Sequence, residues 1–352
     1  MEFTLYHSFT DLEPLASEWN ELLKESFTHV PFLRYEYLRT WWETRGGGEW
    51  PESELAVVIA YQAGRVAGVA PLFYAKNREG DMALLLLGSI EISDYLDLIV
   101  RSNDLGNFLP GLLDFLNSPA TAGLKLSAAV AIESKPWQVL DWQNIPEASP
   151  ILPVLKAESE KRGWSFTQAQ TYHAPSIPLA GDFETYLCSI DKKQRHEIRR
   201  KMRRVVEDGN DVRWYIVSDG AALDTEVEAF LAMMEEEPEK AKFLTDPMRR
   251  QMHLSAQAAF ENGWLQLAFL EVDGQKAAGY LNFDYLNRVW VYNSGIERRF
   301  LELSPGWVLL GHLLEWANEN KRTEFDFMRG DESYKYRFGA VDHFVVRSKV
   351  TR

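Results

Sequence analysis

Leu265 to Val272 (LQLAFLEV), Asp273-Gly274, Lys276 to Tyr285 (KAAGYLNFDY) and Arg288 to Ser294 (RVWVYNS) form the stretch whose reading decides the fold. Three runs rich in aromatic and aliphatic residues read as strands, and Asp-Gly between the first two is a strong hairpin signal because both residues tolerate positive φ. The same order occurs earlier in the chain. Leu55 to Tyr61, a turn at Ala63-Gly64, Val66 to Tyr74, Ala83 to Leu87 and Tyr95 to Val100 form another meander. The recurrence points to two related half-molecules. Ser165 to Pro178 contains two prolines and little periodicity, which places the boundary near Pro175 and the domains at 1–175 and 176–352.

Composition agrees with a chain of this size. At 352 residues, 46% hydrophobic and with 12 tryptophans, it can bury a large core in two domains. Its single cysteine, Cys188, excludes an intrachain disulfide and any multi-cysteine metal site, and no metal is expected. The longest apolar run, around Met82 to Leu87, is too short to span a bilayer, and the N-terminus lacks a basic region followed by an apolar one. A cytoplasmic protein is expected. The net charge of −14 argues against a general nucleic-acid binder.

Helices flank the strands. Leu12 to Leu23 and Pro31 to Trp42 place Trp19, Phe32, Tyr35, Trp41 and Trp42 at helical spacing, a pattern of core packing. Further helices are expected at Leu109 to Asn117, from Ser149-Pro150 to Gly163, at Phe183 to Ile190, Leu223 to Glu237 and Pro247 to Asn262. Strands are expected at Lys125 to Ile132, Trp137 to Trp142 and Arg213 to Val217.

Three regions carry polar chemistry. Between Asp191, a helix cap, and Gly209, Ile198, Met202 and Val205 form an apolar stripe, and the remaining surface holds Lys192, Lys193, Arg195, Arg199, Arg200, Lys201, Arg203 and Arg204 against Glu197 alone. Either this is a solvated helix face, or Arg195, Arg199 and Arg203 bind an anion. Asp94 and Tyr95 at the end of the first meander either face water or form a polar wall for substrate. Ser304-Pro305-Gly306 starts a helix running to about Asn320, with Ser304 as cap and Gly306 open to a ligand; such a start suits a phosphate, and a plain cap looks identical. Phe325-Asp326-Phe327-Met328-Arg329-Gly330-Asp331-Glu332-Ser333-Tyr334-Lys335-Tyr336-Arg337 follows, an acidic and aromatic strand that exits into dense charge.

Ser304-Pro305-Gly306 together with Phe325 to Arg337 resembles the C-terminal signature of the CelD-like GNAT acyltransferases, relatives of the Fem-type peptidyltransferases often associated with exopolysaccharide production. The basic helix, Pro31-Phe32 with Trp41-Trp42, Gly68 to Leu72 and Asp94 to Asp97 extend the resemblance over most of the chain. It implies an α/β (mixed α+β) fold of tandem GNAT-like domains, each a mostly antiparallel mixed sheet flanked by helices, and transfer of an acyl group, acetyl foremost, from acyl-CoA to an amine or hydroxyl of a carbohydrate or anionic acceptor. A Fem-like, aminoacyl-tRNA-dependent transferase and a degenerate binding scaffold are the alternatives. GNAT enzymes grip pyrophosphate with a Q/R-x-x-G-x-G/A loop, of which this chain has only Gly306.

Acyl transfer needs a base, an oxyanion stabiliser and an acid. Asp331 or Glu332 is the expected base and Tyr334 the acid. The resemblance to Fem-type enzymes gives Lys335 the oxyanion role. Backbone N–H groups of Asn293, Ser294 and Gly295 are further oxyanion and cofactor contacts, and Arg329 and Arg337 are the clamps for phosphate or carboxylate. Asp326 is expected to orient Arg329 or a backbone turn.

Overall fold

A computed structural model describes residues 1–121, 136–207 and 209–352. The chain divides into two compact units, Met1–Tyr172 with Phe344–Arg352, and His173–His343. The expected second domain ran to Arg352. Instead the last strand, Phe344–Thr351, belongs to the first unit, where it pairs antiparallel with Val139–Pro146.

The first unit holds two sheets. One has the order Glu2–Tyr6, Val57–Gln62, Arg65–Ala70, Ile99–Val100. The other runs Ser53–Leu55, Leu72–Lys76, Met82–Leu86, Val139–Pro146, Phe344–Thr351, Ser165–His173. Met82–Leu86 pairs parallel with Val139–Pro146, so the sheet is mixed. The aromatic helix Tyr35–Thr44 is core, as its spacing predicts: Tyr35, Tyr37 and Trp41 are buried, and the buried Tyr37 hydroxyl donates to the Ile92 carbonyl at 2.8 Å. The expected strand Tyr95–Val100 shortens to Ile99–Val100. Its acidic residue Asp97 turns inward, accepting from the Thr28 hydroxyl at 2.6 Å, the Ser149 hydroxyl at 2.7 Å and the Leu98 N–H at 2.9 Å. The strand expected at Lys125 to Ile132 lies outside the described residues.

The second unit is built on one six-stranded sheet, ordered Ser176–Pro178, Glu324–Asp326, Arg288–Ile296, Gln275–Tyr285, Leu265–Val272, Val212–Ile216. Every neighbour is antiparallel except Glu324–Asp326 beside Arg288–Ile296. The Asp-Gly turn forms as read, with φ of 51° at Asp273 and 73° at Gly274. Helix Pro305–Glu319 covers one face through Val308, Leu309, Leu313 and Leu314, and the basic helix Lys192–Glu207 packs on it through Ile198, Met202 and Val205. The helices approach closely at Gly311, where an added Cβ would stand 2.7 Å from the Met202 sulfur. On the other face lies helix Leu223–Glu235, whose Phe230 is within 3.1 Å of where a Cβ on Gly279 would sit.

Candidate active site

The site begins with a strand that loses a neighbour. Arg288–Ile296 pairs along its whole length with Gln275–Tyr285, but on its other side Glu324–Asp326 reaches only Arg288 to Trp290. The register against Gln275–Tyr285 also shifts, from Leu281 opposite Asn293 to Asn282 opposite Val291, a bulge at Tyr292. Beyond it the strand end borders a cavity of about 430 Å³, lined by Met233, Glu237, Lys240, Ser294, Gly295 and Tyr334, with Glu236, Ile296, Arg298, Leu301 and Glu332 completing the wall. Four residues singled out in the sequence, Ser294, Gly295, Glu332 and Tyr334, therefore meet at one cavity.

The roles of several differ from expectation. Ser294 presents its backbone groups to partners already in place: its N–H donates to the Asn293 side-chain oxygen at 2.9 Å and its carbonyl accepts from Lys240 Nζ at 2.8 Å. Lys240 also meets Glu237 at 3.2 Å, so an ammonium group sits at the strand edge. Gly295 is required by packing, since a Cβ there would stand 3.0 Å from the Met233 carbonyl carbon and the Met234 nitrogen. Tyr334 sits in the short helix Ser333–Arg337, edge-on to Phe327 at 5.9 Å. Burial, aided by the negative charge of Glu332, raises its phenol well above the ordinary tyrosine range, so it stays protonated.

Lys335 corrects the largest expectation. It is 2% exposed, and its ammonium donates to the carbonyls of Phe327 at 3.1 Å, Arg329 at 2.9 Å and Gly330 at 3.1 Å, with Glu332 at 2.9 Å. Three N–H bonds are thus consumed in holding the loop, and none is left to reach an oxyanion. Asp326 supports the same loop by accepting the Met328 N–H at 2.6 Å, which fixes the positive φ of 54° at Met328. The backbone turn, one of the two alternatives for Asp326, is formed. Asp331 is exposed, and Arg329 is half-buried in the loop.

The start of helix Pro305–Glu319 also departs from its expected role. Ser304 has φ of 54° and makes no side-chain cap; its carbonyl receives the N–H groups of Trp307 at 3.0 Å and Val308 at 3.1 Å. Pro305 has no N–H, which leaves Gly306 as the donor of that first turn. Gly306 itself is buried against Ile296, whose Cδ1 would be 2.8 Å from an added Cβ. The backbone here does not fit the multi-donor pyrophosphate cradle of a GNAT enzyme. Side-chain cations stand close by: Lys201 Nζ lies 4.2 Å over the Trp307 ring, and burial, together with the charges of Arg200 and Arg337, lowers its pKa against the pull of Glu197.

On the basic helix, Arg199 pairs with Glu184, Arg200 bonds Glu197 at 2.8 Å, Arg195 reaches the Leu187 carbonyl at 3.5 Å and Arg203 the Arg199 carbonyl at 3.4 Å. Glu184, from the preceding helix, is the counter-charge that the helix sequence alone does not reveal. Asp94 and Tyr95 lie in the first unit, Tyr95 buried and Asp94 half-buried. Lys240 was missed because no element was expected between the helices Leu223 to Glu237 and Pro247 to Asn262; the helix Pro238–Phe243 forms there, directly after Glu237. Among the described residues no group of three metal-ligating side chains occurs, and no helix is long and apolar enough to cross a membrane.

Residues 192–336 match the family model described as an acetyltransferase (GNAT) domain. That stretch, which lies within the second unit, is similar to a GNAT domain. Solved structures extend the likeness to the whole chain. FemX superposes with a TM-score of 0.65 at 12% identity, covering 99% of this chain and 97% of its own. L-PGS from Bacillus licheniformis gives 0.54 at 12% identity over 96% and 91%. A tandem GNAT protein from the clavulanic acid biosynthesis pathway gives 0.50 at 12% identity over 99% and 97%. At such identities the likeness is one of fold, and the tandem GNAT-like architecture is the fold of this chain. A comparison with curated proteins returns no match.

Proposed function

We propose that the GNAT-type unit transfers an activated acyl group to an amine at the cavity beside Ser294 and Gly295. The observation that carries this reading is the Tyr334 phenol, kept protonated by burial on the wall of that cavity. As the amine nitrogen bonds to the acyl carbon, the bond to the leaving group breaks and Tyr334 supplies the proton that group needs. The amine's proton passes to Glu332 on the same wall. Lys240, anchored by the Ser294 carbonyl and Glu237, retains a donor for the developing oxyanion, the role expected of Lys335.

Three carboxylates, Glu236, Glu237 and Glu332, face this cavity against the two cations Lys240 and Arg298. Glu237 is paired with Lys240 and Glu332 with Lys335, so it is the carboxylate edges rather than a net negative field that offer an ammonium a partner, and an amine is the acceptor class this wall favours. Nothing in the lining selects a carbohydrate, and the exopolysaccharide role has no observation to carry it. For the donor, acyl-CoA would find its phosphates met by Lys201 and Arg337 rather than by backbone N–H groups, and would supply a thioester. A second donor, aminoacyl-tRNA, is favoured by the absence of the pyrophosphate cradle together with the basic helix. The two separate in one experiment: the protein is incubated with an amine panel and either acyl-CoA or charged tRNA, with Tyr334→Phe as control. Transfer from either donor that falls by about 100-fold or more in Tyr334→Phe supports the site; full activity in that variant overturns it.

A further inference from the structure

Among the described residues the strand Ser165–His173 forms one edge of the six-stranded sheet of the first unit, covered at its last residue, where the His173 carbonyl accepts the Gly330 N–H at 2.8 Å. Its nine residues, SFTQAQTYH, are exposed or half-exposed on both faces. An open edge is a row of unpaired backbone donors and acceptors, and sheets ordinarily block it with charge, proline or brevity. The other sheet edges among the described residues follow that rule: Glu2 stands in Glu2–Tyr6, Glu54 in Ser53–Leu55, Arg213 in Val212–Ile216 and Pro178 in Ser176–Pro178, while Ile99–Val100 is two residues long. Ser165–His173 has no Asp, Glu, Lys, Arg or Pro, in a chain of which 26% is charged.

Its sequence is also symmetric about its centre. Outward from Ala169 come Gln168 and Gln170, then Thr167 and Thr171, then Phe166 and Tyr172. We propose that the protein forms a two-fold dimer in which this strand pairs antiparallel with the same strand of a second copy, Ala169 opposite Ala169. In that register Gln168 faces Gln170, Thr167 faces Thr171 and Phe166 faces Tyr172, each pair occurring twice. These are amide, hydroxyl and aromatic pairs of the kind that stabilise neighbouring strands. An isologous seam requires such self-complementarity, which a strand shaped to receive a foreign peptide does not. Each copy carries a net charge of −14, and a charge-free seam lets two of them meet without opposing carboxylates. Pairing would join two six-stranded sheets into one and cover the Tyr172 ring, now 42% exposed.

Sedimentation equilibrium of the full chain at micromolar concentration tests the proposal, with twice 40.5 kDa the expected mass. The double variant Gln168→Lys/Gln170→Lys sets lysine against lysine at two positions and weakens the dimer by roughly tenfold or more. Gln168→Lys/Gln170→Glu sets lysine against glutamate at those positions and restores it. Because it carries the same lysine at position 168, it also controls for folding, which circular dichroism checks in both variants. A monomeric wild type, a dimer indifferent to Gln168→Lys/Gln170→Lys, or failure of the lysine–glutamate variant to restore association overturns the proposal.

Discussion

Lys335 shows how a residue that looks reactive in sequence can be structural in the fold. A buried ammonium shared among three carbonyl oxygens is the keystone of the loop Phe327 to Gly330, on which Tyr334 depends for its place. Removing it leaves those carbonyls without a donor, at a cost of about 1–3 kcal/mol for each buried group left unpaired. Lys335→Met is therefore expected to lower the melting temperature as well as activity, whereas Tyr334→Phe lowers activity and leaves the melting temperature near that of the wild type. Differential scanning calorimetry beside the transfer assay separates the two. Asp97 offers a different test. Burial, opposed by its bonds from Thr28, Ser149 and Leu98, raises its carboxyl from 3.8 to about 6. The folded state then binds this proton more tightly than the unfolded state, so the Asp97 contribution is greatest below about pH 4 and is lost as pH rises through 6. Its swing is on the order of 2–3 kcal/mol. Asp97→Asn should flatten that part of the pH dependence, measured as the wild-type minus variant difference in urea unfolding between pH 4 and pH 7.5. The sequence brought in Asp97 only as the end of the Asp94 to Asp97 run. Its inward turn depends on Thr28 and Ser149, residues too far apart in the chain for any local pattern to unite.

At the level of elements, the periodicity was most legible where it was longest. Leu265–Val272, the Asp-Gly turn and the apolar stripe of the basic helix stand where the spacing of their side chains puts them. Short elements were not legible: Pro238–Phe243, which brings Lys240 to the cavity, and Ser333–Arg337, which carries Tyr334, are each less than two turns long and draw their stability from packing. The glycines were legible as conserving space but not as to what fills it. Gly306 was expected to admit a ligand and instead admits Ile296. This contrast makes a prediction about two alanine substitutions. At Gly306 the crowding atom is the tip of the Ile296 side chain, which can rotate; at Gly295 the crowding atoms are the Met233 Cβ at 2.7 Å and the backbone of Met233 and Met234 at 3.0 Å, which cannot. Gly295→Ala should cost about 1–3 kcal/mol, and Gly306→Ala less, by chemical denaturation.

Across the whole molecule, the repeated meander was enough to expect two related halves, because each carries its own hairpins and its own amphipathic helices, and the resemblance carried by Ser304 to Gly306 and Phe325 to Arg337 supplied their GNAT-like character. The return of the chain to its first unit was not readable. Phe344–Thr351 lies beyond the charged motif, and nothing in its own residues says that its partner is Val139–Pro146, some 200 positions earlier. Long-range ion pairs do mark the choice, among them Lys349 with Glu79 and Asp81; the buried one joins Arg347 to Asp141 through two nitrogens, each at 2.7 Å, and the Arg347 guanidinium is held protonated by that carboxylate. The strand sits between Val139–Pro146 and Ser165–His173, so it is an interior strand of its sheet. Removing residues 344–352 would strip both neighbours of their ladder and leave Asp141 buried beside Asn77 without its arginine. An unpaired buried carboxylate of this kind costs about 3–5 kcal/mol before the lost strand is counted. The truncated chain should therefore lose the cooperative unfolding of the first unit, while the GNAT-type unit, which contains none of these residues, keeps its own transition. Arg347→Met isolates the ion pair from the strand: if truncation and Arg347→Met are both as stable as the wild type by calorimetry, the C-terminal strand does not hold the first unit together.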